Sequence, residues 1–386
     1  MLSGLSKATS MPLSLNPVSQ LFGDHIKNIG GWSSKRRLVV FAVDDYGNVR
    51  LDSAEAGRRI SAAGVPLTHY MDRLDTLETS SDLESLFEVL DRFRDQAGSP
   101  PVFTAYTLTA NPDFAELRSG CGDYRFLNLK ETFDDASSRQ PANYAGTWSL
   151  WSEGIARGLI FPQFHGREHY NLEVLRHKLG RKSRDLLINL ANDSLVGLTS
   201  EDNLPGLHYT RSFAWNADTD FRLQAETLKS GLELFEQLFG FRSLTFAPPA
   251  LTLHPSLHPV LIEEGVRAID RNRVENAGGR GMTRNKLGQK TRSNLITLVR
   301  NVVFEPTTSP ATAVARALQQ IQAAFFWNKP AIISSHRVNF CGQIDESNRK
   351  QGLEALQSLI QEILARWPDV KFLTAEELTR LILATS

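Results

Sequence analysis

The sequence predicts an α/β fold in which parallel strands form one barrel-like sheet. Three observations lead there. Short apolar runs rich in Val, Ile and Phe recur without polar alternation, as strands covered on both faces do. Amphipathic stretches with three-and-four spacing separate those runs, the pattern of crossover helices. Polar residues able to do chemistry fall at the C-terminal ends of the runs, where α/β folds bind ligands.

The elements follow in order. Leu38–Val43 is the first strand. Ser53–Ala63 reads as a helix closed by Gly64. Asp82–Phe93 is a second helix, with Leu83, Leu86, Phe87, Leu90 and Phe93 on one face. Val102–Thr107 is a strand introduced by Pro100-Pro101. Leu172–Ala191, interrupted by Gly180, and Phe221–Phe239 are long helices. Leu244–Ala247 is a strand ending at Pro248-Pro249. His254–Glu264 is helical, and Val266–Ile269 is a strand ending at Asp270. Leu295–Phe304 is β-rich, Ala311–Trp327 helical, and Ala331–Ser334 a strand ending near His336. Leu353, Leu356, Ile360, Ile363, Leu364 and Trp367 define a last amphipathic helix, and Val370–Leu373 a final strand. No composition break divides the chain, so residues 36–386 read as one domain behind an irregular extension, residues 1–35. The poorly patterned stretch around 107–170 reads as an insertion that caps the site.

The bulk composition narrows the function classes. Lys and Arg total 43 and Asp and Glu total 43, so no global field draws the chain to nucleic acid or an anionic membrane. Two cysteines, Cys121 and Cys341, make no disulfide framework and no CxxC pair. The N-terminus shows no signal-peptide pattern, and no run approaches a membrane span. The expectation is a cytoplasmic protein with no stable membrane insertion and no nucleic-acid partner.

Three groups of residues carry chemistry. Asp44-Asp45 ends the first strand. Such a pair often only starts a turn, and Tyr46-Gly47-Asn48 looks like one. It also suits divided labour, one carboxylate on a cation and the other free as a base for water. His165 and His169 lie four residues apart, one helical turn, so both imidazoles can reach one point. His336 follows the run Ala331-Ile332-Ile333-Ser334-Ser335. It could be a satisfied core histidine or a general acid. Two His and one Asp with open positions suit catalytic zinc, and equally a two-His-one-carboxylate iron site.

In this order the motifs resemble those of the polysaccharide deacetylases, the NodB-homology or carbohydrate esterase superfamily. That family begins with T-F-D-D at the end of its first strand, matched here by Ala42-Val43-Asp44-Asp45. Its H-[ST]-x-x-H motif is matched by His165-Gly166-Arg167-Glu168-His169, with Gly in place of Ser/Thr. Its last motif, a strand ending in a catalytic His, is matched by Ile332-Ile333-Ser334-Ser335-His336. The resemblance runs from about Leu38 to Leu378. The strings FHGREH and SSHRVN are similar to an uncharacterised deacetylase-like subgroup rather than to chitin or peptidoglycan enzymes. The resemblance implies a distorted (β/α) barrel of about seven strands. It implies Asp44 as general base, Asp45, His165 and His169 as metal ligands, and His336 as general acid. Zinc is the expected divalent metal, with Co, Ni, Mn or Fe as alternatives.

Two departures stand out. The family's R-x-P-Y motif supplies an Arg that holds the base and a backbone N–H for the oxyanion. Here the counterpart is Phe246-Ala247-Pro248-Pro249-Ala250, which lacks the Arg. If Pro249 takes the Tyr position it has no N–H to give, and if it takes the Pro position Ala250 can donate. Arg167 is the candidate replacement for the Arg. Asp270 is the candidate for the Asp that tunes the acid His, without its Trp partner. Elsewhere, the basic Gly-rich run Gly278–Lys286, continuing to Lys290 and Arg292, reads as a solvated loop or as a contact for phosphate or an acidic sugar. Tyr144, Trp148, Trp151 and Trp215 read as loop packing or as a sugar-stacking platform.

The function expected is metal-dependent removal of an acyl group, acetyl foremost, from a carbohydrate or sugar conjugate. The alternatives are hydrolysis of a glycosidic or non-peptide C–N bond on the same barrel, or a non-catalytic carbohydrate-binding protein.

Overall fold

A computed structural model of the chain describes residues 17–119, 124–199, 204–276 and 282–385. Its main sheet contains β1 (Leu38–Tyr46), β2 (Phe103–Leu108), β3 (Ile160–Gly166), β4 (Thr245–Phe246), β5 (Ala268–Asp270), β6 (Ile296–Leu298), β7 (Val302–Val303), β8 (Ala331–His336) and β9 (Lys371–Phe372). Eight of them run in the order β6-β5-β4-β3-β2-β1-β8-β7, and β9 pairs with the start of β1. Every pairing within this sheet is parallel. Strands β6 and β7 stand at opposite ends of that order, yet only residues 299–301 separate them. So short a link cannot span a flat sheet, and the sheet curls until its two edges nearly meet. The predicted α/β barrel is therefore the observed architecture. It has eight strands on the path rather than about seven because the β-rich segment 295–304 serves both edges and breaks into two pieces.

Alternation along each strand sorts residues into two cores. On β1, Val39, Phe41 and Val43 face outward into the large cluster shared with helices Ser80–Leu90, Ala313–Phe326 and Glu346–Arg366. Leu38, Val40 and Ala42 face inward, with Tyr106, Ala247, Ala268, Ile296, Leu298 and Ile332. Ala375, Leu378 and Ile382 of the terminal helix Ala375–Ala384 join this inner cluster and plug the barrel. The same count of two, continued to the C-terminal ends, aims Asp44, His165, Asp270, Arg300 and His336 into the open end of the barrel.

Several expectations needed correction. Residues 17–26, expected as irregular, form the helix Pro17–Ile26. Its Asp24 pairs with Arg316, which fastens it to the barrel. The stretch 107–170 is not a loop-built cap. It contains the short antiparallel pair Ala110–Pro112 and Phe126–Asn128, the helices Leu129–Arg139 and Thr147–Ala156, and the barrel strand β3. Leu172–Ala191 is two helices, Leu172–Gly180 and Arg184–Leu190. Cys121 and Gly278–Gly281 lie outside the described residues. No helix among the described residues is long and apolar enough to cross a membrane.

Candidate metal and acid–base site

Asp44 and Asp45 are neighbours in sequence, and strict alternation would send them to opposite faces. The backbone prevents this. Asp45 has φ 75°, and the register of β1 against β2 slips between Val43 and Tyr46. This bulge turns both carboxylates toward the cavity and returns Tyr46 to the outer core. A non-glycine residue held at positive φ is strained, and such strain concentrates at functional sites.

Asp45 Oδ1 lies 3.3 Å from His165 Nε2 and 3.1 Å from His169 Nε2. All three side chains are buried, and one ligand atom from each lies within 4.8 Å of the others. The two histidines reach this point differently from the helical turn expected. His165 is on β3, and His169 is in the loop beyond it. Gly166, at φ 139°, bends the chain where few side-chain-bearing residues would follow. That conformation accounts for Gly in the position where the family motif has Ser or Thr.

The donor set suits a cation. His165 Nδ1 is 2.6 Å from the carbonyl oxygen of Ala247. A carbonyl only accepts, so Nδ1 carries the hydrogen, and Nε2 is the ring nitrogen turned toward Asp45. Among the described residues, His169 Nδ1 is buried without a hydrogen-bond partner. Burial pulls the His169 pKa below its ordinary value despite the opposing charge of Asp45. Two imidazoles and a carboxylate converging in this way match a three-ligand divalent-metal set.

Asp44 stands apart from the trio. Both of its oxygens receive Arg300, Nη1 to Oδ2 and Nη2 to Oδ1, each at 2.7 Å. Burial alone would raise this carboxyl, but Arg300 and then His165 outweigh it and hold it below the usual carboxylate range. The far side of the same guanidinium takes Asp270, with Nε 2.8 Å from Oδ2. Asp270 is pushed upward by burial, with Asp44 adding to the push and Arg300 opposing it. Asp270 therefore positions Arg300, not His336 as expected from sequence. Arg167 does not reach Asp44. Its Nε binds Glu168 at 2.7 Å, its Nη1 binds Ser230 at 2.8 Å, and it lies over the Phe126 ring.

The partner of His336 is Glu305, with Oε1 2.6 Å from Nδ1. Burial pulls the imidazole down, but the Glu305 charge and hydrogen bond outweigh it and raise His336 to about 9. Asn339 donates to the other Glu305 oxygen at 2.6 Å and so fixes its orientation. Arg300 and Glu305 are the two site residues that the sequence reading missed. Counting two from Ile296 and Leu298 would have pointed to Arg300, and Glu305 directly follows the β-rich run.

Asp44, Asp45, His165, His169, Arg300 and His336 line one cavity of about 710 Å³, within the range of small-molecule sites. Arg50, His208 and Tyr209 belong to its wall. So does Ala250, in a tight turn closed by Leu251 N–H to Pro248 O at 2.7 Å. That turn does not use the Ala250 N–H, and Ala250 has φ 56°. The aromatic platform does not form. Trp151 is in the outer core, edge-on to Tyr46 and bonded to Glu78. Trp148 packs on Phe133 and Phe239, the Tyr144 hydroxyl binds Gln343, and Trp215 meets His254.

No protein-family model matches the chain, and no curated protein does. Among solved structures it is similar to a protein assigned as a polysaccharide deacetylase from Mycobacterium smegmatis. The two share 14% identity over 92% of this chain and 93% of that one, with a TM-score of 0.46. A protein assigned in the same way from Pseudomonas aeruginosa PAO1 gives 12%, 90% and 91%, with 0.44. A CE4-family pseudoenzyme from Bacillus anthracis gives 10%, 90% and 67%, with 0.37. The likeness concerns the path of the chain and not its catalysis.

Proposed function

We propose that this chain is a divalent-metal-dependent hydrolase that removes an acyl group, acetyl foremost, from a carbohydrate or sugar conjugate. One observation carries the reading. Asp45, His165 and His169 converge on one point, while a second carboxylate and a separately tuned imidazole face the same cavity. Binding alone needs neither a base nor an acid, so five such groups in one cavity favour catalysis.

Asp45, His165 and His169 would hold the cation. Bound there, it supplies Lewis acidity, polarising an acyl carbonyl and making water a better nucleophile near neutral pH. Asp44 is the general base. Arg300 keeps its carboxylate ionised and oriented, so it accepts the proton of the attacking water. His336, protonated through Glu305, delivers a proton to the departing amine or alkoxide. The Ala250 N–H is the donor for the oxyanion, a contribution worth roughly a hundredfold or more in rate.

The test is acetate release from acetylated sugars by the metal-replete protein, with Asp44→Asn as control. Release that depends on Asp44 supports the reading. A new reducing end without acetate would replace it with glycoside cleavage.

A further inference from the structure

A second cavity, of about 420 Å³, lies at the seam where the two sheet edges approach. Its wall is made by the turn after the first helix (26–30), by Arg273, by residues 284–287, by the seam residues 299–301 and by Lys329. Six of these are cations: Lys27, Arg273, Arg284, Lys286, Arg300 and Lys329. No Asp or Glu is among them. The whole chain balances 43 basic against 43 acidic residues, so this concentration does not follow from a basic composition.

Part of the charge is compensated. Arg300 is held by Asp44 and Asp270, and Lys27 pairs with Asp24 at 3.0 Å. Among the described residues, no carboxylate comes within ion-pair distance of Arg273, Arg284, Lys286 or Lys329. Arg273 instead donates to the Ile26 carbonyl at 3.1 Å, and Lys329 to the Gly31 and Trp32 carbonyls at 2.7 and 2.9 Å. The Lys286 ammonium lies over Gly30, 3.3 Å from where a Cβ would stand. Burial and then the neighbouring Arg284 depress the Arg273 pKa, and burial depresses Lys329. Like charges gathered in a partly desolvated cavity repel one another unless an anion sits among them.

We infer that this cavity is a binding site for a phosphate or diphosphate ester, distinct from the acyl-hydrolase cavity and sharing only Arg300 with it. Two guanidinium forks match tetrahedral oxyanions, and two ammonium groups add point charge. The cavity exceeds the needs of a bare ion and lies within the range of small-molecule pockets. The second half of the basic segment seen in the sequence, Arg284 to Lys286, supplies one wall.

The experiment is equilibrium binding of inorganic pyrophosphate to the full chain at constant ionic strength. It is read by dialysis and by thermal shift, neither of which depends on hydrolysis. Saturable binding of one pyrophosphate per chain is expected. Arg284→Ala combined with Lys286→Ala should weaken it by roughly tenfold or more, as loss of two charge-assisted contacts requires. Both residues are exposed, so the unliganded melting temperature should hold. Arg292→Ala, in the same basic segment but off the cavity wall, should bind as the parent does. Absence of saturable binding, unchanged affinity in the double variant, or equally tight binding of citrate would overturn the assignment.

Discussion

Replacing Arg300 by Gln tests the electrostatic heart of the site. The guanidinium side chain is 7% exposed, and it holds Asp44, 10% exposed, and Asp270, 2% exposed. Removing it leaves two carboxylates buried with no cation between them. Breaking one buried pair this way costs about 3–5 kcal/mol. Asp270, already pushed upward by burial, can take a proton, which keeps the total near that range rather than doubling it. For a protein of this size the melting temperature should fall by roughly 4–6 °C. Asp270→Asn alone keeps the Arg300–Asp44 fork and should cost only about 1 kcal/mol. Added to Arg300→Gln, it removes one of the stranded charges, so the double variant should be less destabilised than the sum by about 1–3 kcal/mol. Activity should fall roughly a hundredfold in Arg300→Gln, since Asp44 loses its clamp. Denaturant unfolding of the four proteins reads the cycle. Strict additivity, or an Arg300→Gln protein within 1 kcal/mol of the parent by the usual scatter of surface substitutions, would refute the reasoning.

Other perturbations probe the remaining parts. His336 as the proposed general acid must be protonated, so activity should be lost as pH rises through about 9. Glu305→Gln should move that alkaline limb down toward the ordinary histidine value, visible in a pH–rate profile. The same shift adds stability that is complete below the unfolded histidine pKa and is lost as pH rises through about 9, so Glu305→Gln should flatten that part of the pH–stability curve. Ala250→Gly suits the backbone at φ 56° and should leave activity and stability within about 1 kcal/mol. Ala250→Pro removes the N–H and cannot adopt that φ, so turnover should fall roughly a hundredfold or more. At Gly166, φ 139° and a Glu168 carbonyl 3.3 Å from any added Cβ predict that Gly166→Ala loses about 1–3 kcal/mol and displaces His169.

What could be read from the sequence follows from period two. Leu38, Val40 and Ala42 are inward-facing, and the next step lands on Asp44. The same counting reaches His336 from Ile332. Asp45 broke the period, but its adjacency to Asp44 made it visible. β3 was missed because Pro162 and Gln163 interrupt its apolar run, although Gln163 is buried and satisfied by the backbone of residues 244–245. Without that strand, the four-residue spacing of His165 and His169 reads as a helical turn. Arg167 lies between the two histidines in sequence but faces away, held by Glu168. The clamp on Asp44 came instead from 256 positions along the chain. Such a pairing is set by closure of the barrel, and no local pattern encodes it. The helix Pro17–Ile26 was unread because its burial against residue 316 is likewise tertiary.

The most direct test of the account is elemental analysis of the purified full-length chain after exposure to divalent zinc and gel filtration. The account predicts about one zinc ion per chain for the parent, as one three-ligand set requires, and loss of that ion in both His165→Ala and His169→Ala. Full metal content in either variant would contradict the claim that these two imidazoles and Asp45 share one cation.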